Sequence, residues 1–247
     1  GGTNTFSGYT TLASTGITLL KNASSQSILN LQADGTTYDL DGADQTIGGL
    51  TGSSASHVFL GAQKLTVNTN TSDLTFEGVM TDGTRGSGGK FVKAGSKAFT
   101  FATSPTYTGS TTISGGTLQV GKSTSPGTLP STDLYVNGGT LKMGVSQNFA
   151  TLSGTGGTID LGTSTTAPLT LGILGNSPTS GFAGTIKGTG TLIIGPSEPA
   201  SLTLTGNNTF TGGTIINTGS SLTAPLSSLP ASQGGNNGQV TNSGTLT

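Results

Sequence analysis

Residues 107–113 read Tyr-Thr-Gly-Ser-Thr-Thr-Ile, and the same pattern returns as Phe-Ser-Gly-Tyr-Thr-Thr-Leu (6–12) and Phe-Thr-Gly-Gly-Thr-Ile-Ile (210–216). The shared elements are an aromatic residue, Thr or Ser, Gly, a Thr two positions later, and a closing Ile or Leu. The offsets are 107 − 6 = 101 and 210 − 107 = 103 residues. Recurrence at this spacing indicates a repeat architecture with a unit of about 102 residues.

Short alternating runs between the glycines predict β-strands throughout the chain. Each run carries large apolar residues on one face and Thr on the other, and is bounded by Gly, Asn, Ser or Pro. No window free of Gly shows the apolar spacing of a helix. The clearest runs are Leu65–Val67, Leu118–Val120, Leu134–Val136, Leu169–Leu171 and Leu202–Leu204.

Strands that follow one another without helices predict a parallel β-helix, because the chain can pair such strands in parallel only by completing a coil and returning one layer up. At about 20–25 residues per coil, the chain would form roughly ten stacked coils. We predict an all-β solenoid, with residues 1–247 forming a single β-helix that is a fragment of a longer rod. Its repeat units are predicted at about residues 3–104, 105–207 and, in part, 208–247.

The composition excludes several classes of protein. The 247 residues include 43 Gly and 48 Thr but are only 8% charged, with a net charge of −1. This charge is not that of a nucleic-acid-binding surface, and 30% hydrophobic residues predict a narrow core. The absence of Cys and the single His exclude disulfides and a His/Cys zinc cluster. We expect no cofactor and no metal.

Two stretches around the motif resemble the passenger-associated repeat of bacterial autotransporters. They are Tyr-Thr-Gly-Ser-Thr-Thr-Ile-Ser-Gly-Gly-Thr-Leu-Gln-Val-Gly (107–121) and Phe-Thr-Gly-Gly-Thr-Ile-Ile-Asn (210–217). Residues 38–52 are similar to the segment that usually precedes this repeat, and residues 182–192 to the link between the two. The resemblance implies a right-handed parallel β-helix, exported from a Gram-negative cell through a C-terminal outer-membrane β-barrel that lies outside this sequence.

The resemblance does not fix the function, and we predict a structural stalk or adhesive segment at the cell surface rather than an enzyme. Its expected partners are ligands on host or neighbouring cells, and other copies of itself, with membrane attachment only through the barrel. Two alternatives stay open, since the same fold carries other activities. One is a polysaccharide-degrading enzyme, and the other is a subunit of an oligomerising toxin.

Acidic residues offer the first candidate sites. Asp39, Asp41 and Asp44 superficially match a calcium loop, but no Glu follows to close it, and a turn beside an inward Leu40 is the better interpretation. The carboxylates that a glycosidase would need are interpreted as solvated groups on turns. They are Glu77, Glu198, Asp133 and Asp160.

The remaining candidates are basic or aromatic. His57 has no adjacent catalytic motif and is predicted to be a solvated loop residue, so no catalytic residue is assigned. Segment 86–101 departs most from the family pattern and is where an insertion into the coils should be sought. The basic cluster there could hold an anionic glycan or lipid head group, although a solvated face is favoured; it comprises Arg85, Lys90, Lys93 and Lys97.

The repeated aromatic residues complete the set of candidates. Phe6, Tyr107 and Phe210 could be platforms for carbohydrate. Because they occupy equivalent positions in successive repeats, an internal stack is the favoured interpretation.

Overall fold

The computed structural model describes residues 8–12, 16–19, 26–40, 42–122, 125–175, 180–225, 229, 240–242 and 244–247. These residues form two compact units, Gly1–Pro130 and Ser131–Thr247. Within the described ranges there is no helix, and therefore no helical segment of the length and apolarity needed to cross a membrane.

The first unit consists of short strands separated by glycine-rich turns. Its strands are β1 (Gly8–Leu12), β2 (Gly16–Leu19), β3 (Ser27–Leu31), β4 (Thr36–Asp39), β5 (Gln45–Ile47), β6 (Gly49–Gly52), β7 (His57–Phe59), β8 (Lys64–Asn68), β9 (Leu74–Phe76), β10 (Val79–Thr81), β11 (Lys90–Ala94), β12 (Ala98–Phe101), β13 (Thr111–Ile113), β14 (Thr117–Lys122) and β15 (Ser125–Pro126).

The second unit is built in the same way. Its strands are β16 (Asp133–Val136), β17 (Thr140–Lys142), β18 (Gln147–Phe149), β19 (Thr151–Ser153), β20 (Thr158–Asp160), β21 (Thr170–Ile173), β22 (Gly181–Phe182), β23 (Thr185–Gly188), β24 (Thr191–Ile194), β25 (Ser201–Leu204), β26 (Thr209–Phe210), β27 (Thr214–Ile216), β28 (Ser221–Thr223), β29 (Val240–Asn242) and β30 (Thr245–Leu246).

Strands of successive coils stack in parallel within each unit. The first unit contains the strand orders β1-β3-β6-β9-β12-β14, β10-β7-β4-β2 and β13-β11-β8-β5. The second contains β17-β20-β23-β26, β18-β21-β24-β27-β29 and β22-β25-β28-β30, together with the pair β16-β19. The pair β14-β15 is antiparallel.

The predicted all-β parallel solenoid is confirmed. The described coils amount to about nine turns, against the roughly ten predicted. Residues paired between parallel strands are separated in sequence by between 18 (Leu141 to Ile159) and 27 (Ile159 to Ile186) positions. Four of the five predicted runs lie inside strands, and the fifth overlaps β21, which begins at Thr170.

A narrow apolar interior runs along the coils of the first unit. Phe91 packs against Phe101, with ring centroids 4.8 Å apart, and against Phe99 at 5.7 Å and Tyr107 at 6.3 Å. All four rings are buried. Segment 86–101 contributes to this interior and keeps the coil register, since Phe91 pairs with both Leu65 and Thr111. The extra length lies before β11: Leu65 and Phe91 are 26 residues apart, against 20 for Phe91 and Thr111, yet the strand pairing is not interrupted.

The glycine of the repeated motif is required because two coils approach closely at that point. The amide of Gly109 donates to the Gly89 carbonyl of the preceding coil, and the amide of Gly212 donates to that of Gly190. A Cβ atom on Gly109 or Gly212 would collide with backbone carbonyl groups of the coil below. This contact requires glycine in these two copies, whereas Gly8 of the first copy has no such contact but a φ of +113°, which favours glycine.

Replacing Gly212 by Ala should therefore lower the free energy of unfolding by about 2 kcal/mol or more, because the backbone cannot move aside as a side chain could. Gly181→Ala is the matched control in the same unit, since the nearest atom to its added Cβ would be Thr203 O at 4.0 Å. Urea unfolding of both variants measures the difference. Equal midpoints would show that the coil spacing can relax.

The two described copies of the motif differ in one buried hydrogen bond. In the first copy, the Tyr107 and Thr111 hydroxyls lie 2.6 Å apart, and both residues are buried. In the second copy, Phe210 stands in place of the tyrosine, and the buried Thr214 Oγ1 has no hydrogen-bond partner among the described residues. The second copy thus carries an unsatisfied polar atom that the first copy avoids.

We expect Phe210→Tyr to raise the free energy of unfolding by about 1 kcal/mol, because the new hydroxyl can satisfy Thr214. The reciprocal change, Tyr107→Phe, should lower it by about 1 kcal/mol, because Thr111 loses its partner. Urea titrations of both variants test the pair. A destabilised Phe210→Tyr variant would mean that the pocket of the second copy has no room for a hydroxyl.

Candidate functional site

An open groove of about 760 Å³ lies on the outer surface of the first unit. Strands β1, β3, β6 and β9 form its floor, because alternate side chains of each strand point away from the apolar interior. None of its lining residues in the described part of the chain is charged. The lining residues are Tyr9, Asn30, Gln32, Thr51, Gly52, Ser53 and Thr75.

Tyr9 supplies the aromatic surface of this groove, with 64% of the residue exposed. The other exposed large hydrophobic residue in the described part of the chain is Tyr135, at 37%, on β16. Burying an aromatic ring is favourable, so a ring left largely in solvent beside polar groups is a feature of a binding surface.

Amide and hydroxyl groups form the rest of the groove wall. Thr51 Oγ1 donates to Asn30 Oδ1 at 3.0 Å, which orients the Asn30 side chain. Ser53 is held by Ser56, whose hydroxyl lies 3.1 Å away and donates to the Leu31 carbonyl at 2.8 Å. The groove therefore offers oriented, uncharged hydrogen-bonding groups beside one aromatic ring.

The sequence interpretation missed Tyr9, although the repeat carries a signal for it. Tyr9 occupies the variable position of the motif, where the other copies have Ser110 and Gly213. A large aromatic residue at a position that otherwise holds a small one indicates a local surface feature.

The aromatic residues at the fixed motif position do not form platforms. Tyr107 and Phe210 are buried, as the internal-stack interpretation predicts. Phe6 lies outside the described residues.

The acidic triplet does not form a metal site among the described residues, where no group of three potential metal ligands occurs. Asp39 is buried and pairs with Arg85, whose Nε lies 3.0 Å from Asp39 Oδ2. Asp44 instead pairs with Lys64, 3.1 Å away, and the hydrogen bond from the Lys64 amide, followed by the Lys64 amine, lowers the pKa of the Asp44 carboxyl. Leu40 is buried as predicted, and Asp41 lies outside the described residues.

His57 was predicted to be a loop residue, and this prediction is wrong. It begins strand β7, is half-buried, and its ring centroid lies 6.0 Å from that of Phe59. The alternation of His57, Val58 and Phe59 places Val58 in the core, and the strand starts directly after the turn formed by the Ser-rich stretch 53–56.

The candidate carboxylates of a glycosidase are not brought together. Asp133 and Asp160 lie on strands β16 and β20, not on turns as predicted, and these strands belong to different sheets. Asp133 accepts a hydrogen bond from the Thr151 hydroxyl at 2.8 Å, and Asp160 lies 3.3 Å from the Lys187 amine. Glu198 is exposed on a bend, and Glu77 is half-buried between β9 and β10.

A buried carboxylate that sequence reasoning overlooked, Asp82, closes the glycine-rich turn after β10. Its oxygens accept the backbone amides of Gly88, Gly89 and Thr108, and the Thr108 hydroxyl at 2.6 Å. These bonds fix the turn to the next coil. The Asp82 oxygens are therefore occupied by hydrogen bonds within the fold and are not presented to a substrate.

Comparison with known proteins agrees with this architecture. The passenger-associated-transport-repeat family matches residues 91–120 and 199–220, and each match contains one of the two described motif copies. These two matches and the parallel β-solenoid support an autotransporter passenger-type repeat domain. Neither the curated proteins nor the solved structures gave a match. The repeats imply that this passenger domain is secreted or displayed at a surface.

The basic cluster of the passenger domain does not form one solvated face, because Lys93 points inward and is buried. Its amine donates to the carbonyl groups of Ala94, Gly95 and Gly115, which belong to two successive coils. Burial lowers the pKa of Lys93 from its ordinary 10.5 to about 8, while the charge of Asp73 opposes this shift. Lys90, Lys97 and Arg85 are exposed, as predicted.

The lowered pKa of Lys93 predicts that stability increases with pH between about 8 and 10. In this window the unfolded chain retains a proton that the folded chain has released, so raising the pH favours the folded state. This pH window ends near 10 because burial raises the pKa of the Tyr38 and Tyr107 hydroxyls. At higher pH the tyrosines lose their protons more readily in the unfolded chain, so a further rise in pH lowers the stability of the folded state.

Urea unfolding of the wild type and of Lys93→Met across this pH range tests the effect. The free energy of unfolding of the wild type, minus that of the Lys93→Met variant, should increase as the pH rises. A carbon-13 titration of the Lys93 side chain gives its pKa directly. Parallel pH profiles together with an ordinary lysine pKa would contradict the prediction.

Proposed function

We propose that this passenger domain is an adhesive segment on the surface of a Gram-negative cell, where it mediates attachment to other surfaces or to copies of itself. The observation that supports this proposal best is a row of uncharged polar residues on the outer face of the first unit. One outward row of the first unit, running from coil to coil, consists of Thr11, Asn30, Thr51, Thr75, Thr100 and Gln119.

The same kind of surface recurs in the second unit. The hydroxyls of Ser201 and Ser221 lie 2.9 Å apart on paired strands, and Thr203 pairs with Thr223 alongside them. Each such group contributes a weak contact. Many weak contacts on one domain, and many domains on one surface, can raise the overall affinity by about 10²–10⁴ through effective concentration.

We propose binding rather than catalysis for this surface. The separation of Asp133 from Asp160, and the engagement of each with a neighbouring side chain, support this view over a polysaccharide-degrading enzyme. A retaining or inverting hydrolase needs two carboxyl groups about 5–9.5 Å apart on either side of the scissile bond. No described feature favours the toxin alternative.

Beads that carry the whole chain at high and low density provide the test. We expect high-density beads to aggregate or to be retained on an epithelial cell layer under flow, because attachment depends on many simultaneous contacts. The retention of low-density beads should fall by a larger factor than the number of chains on each bead.

Albumin-coated beads are the control for non-specific attachment. The proposal fails if beads that carry the chain stay dispersed and are retained no better than this control. Release of reducing sugar ends from a polysaccharide by the purified chain would instead favour the enzyme.

A further inference from the structure

We propose that the Tyr9 groove binds an uncharged oligosaccharide, which deepens the proposed function and rests on it. Three properties of the groove point to this ligand: an exposed aromatic ring, oriented amide and hydroxyl groups, and described lining residues that are all uncharged. Neither the family match nor the repeated motif assigns a ligand to this place.

The exposed ring selects for a flat ligand face with little polarity. A sugar ring presents such a face, since its axial C–H groups point to one side while its hydroxyls extend around the rim. Tyr9 can take this face because most of its ring is in solvent, whereas Tyr38, Tyr107 and Phe76 are buried in the interior. The side-chain chemistry is that of small-molecule sites, which combine an apolar surface with a few placed polar groups.

The polar lining suits the rim of the same ring. Asn30 uses its Oδ1 to accept from Thr51, so its Nδ2 group is available to donate to a ligand hydroxyl. Gln32 is exposed and adds a second amide, which can donate and accept at once. A sugar hydroxyl also donates and accepts, so neutral amides match it in both directions.

The charge of the groove lining and the spacing of its outward residues further restrict the class of ligand. The described residues that line the groove include no Lys or Arg that would offset the desolvation of a carboxylate or sulfate, so an anionic glycan gains no ion pair from them. The outward residues Asn30, Thr51 and Thr75 lie on successive strands, at the strand spacing of about 4.8 Å. This spacing is close to the length of one ring in an extended β-linked chain, so each coil can meet one sugar.

The size of the groove agrees with a short oligosaccharide. Its volume of about 760 Å³ lies within the range of about 300–1,000 Å³ that is usual for small-ligand sites. The groove is open to solvent, which allows a longer glycan to enter and leave it at both ends. Such binding is weak at one site and becomes strong only with many copies.

A panel of uncharged β-linked tetrasaccharides (cello-, manno- and chito-oligosaccharides) tests this proposal by titration calorimetry and saturation-transfer NMR on the whole chain. At least one should bind, with its ring protons receiving saturation from an aromatic side chain. Tyr9→Ala should weaken binding at least about tenfold, the loss expected when an aromatic stacking contact is removed. Tyr9→Phe should bind within about twofold of the wild type, since it keeps the ring.

Tyr135→Ala is the matched control, because it removes an exposed tyrosine from the second unit without touching the groove. Heparin and polygalacturonate are the anionic controls. The proposal is overturned if no uncharged sugar binds, if only the anionic polymers bind, or if Tyr9→Ala and Tyr135→Ala bind the sugar equally. Circular dichroism of each variant confirms that the strands are retained.

The bead assay separates failure of this site from failure of the proposed function. If wild-type and Tyr9→Ala beads adhere equally and no sugar binds, the glycan site is wrong while adhesion stands. If sugar binds through Tyr9 but coated beads do not adhere, the site stands and the adhesive function is wrong.

Discussion

The distance between successive coils is the constraint on which the rest of the structure depends. Backbone hydrogen bonds between parallel strands set that distance at about 4.8 Å, so any residue at a corner has the backbone of the next coil directly above or below it. Gly109 and Gly212 show the consequence, since a single added carbon at either would meet a carbonyl group of the preceding coil. Glycine at these two positions therefore reflects the stacking geometry rather than a flexible chain.

The same stacking explains why the interior is narrow and why its polar groups need partners. A thin apolar interior can be filled by a modest number of Phe, Leu and Ile side chains, as the cluster around Phe91 shows. Lys93 enters this interior and is tolerated because three carbonyl groups receive its amine. Thr214 is the contrasting case, with a buried hydroxyl that the second repeat leaves unsatisfied.

We place the proposed binding function on the outward faces. There, each row along the coils takes one side chain from each strand. The stacking of successive coils therefore aligns outward residues such as Thr51 and Thr75 in a row. The groove forms where a single aromatic residue lies beside this row. Neither the row nor the groove affects the strand pairing beneath it. A repeat domain of this kind can thus change its binding surface by substitution at the variable position of the motif, as Tyr9 in place of Ser110 or Gly213 illustrates.

The sequence by itself determined the fold class, the burial of Tyr107 and Phe210, and the family resemblance, because these follow from patterns that recur at fixed spacing. It did not determine which charged residues are solvated, since Lys93 and Lys90 lie three positions apart and differ only in the face of one strand that carries them. Nor did it place His57 in a strand or reveal the groove. Those features depend on which side chains of different coils become neighbours, and only the registration of one coil on the next decides that.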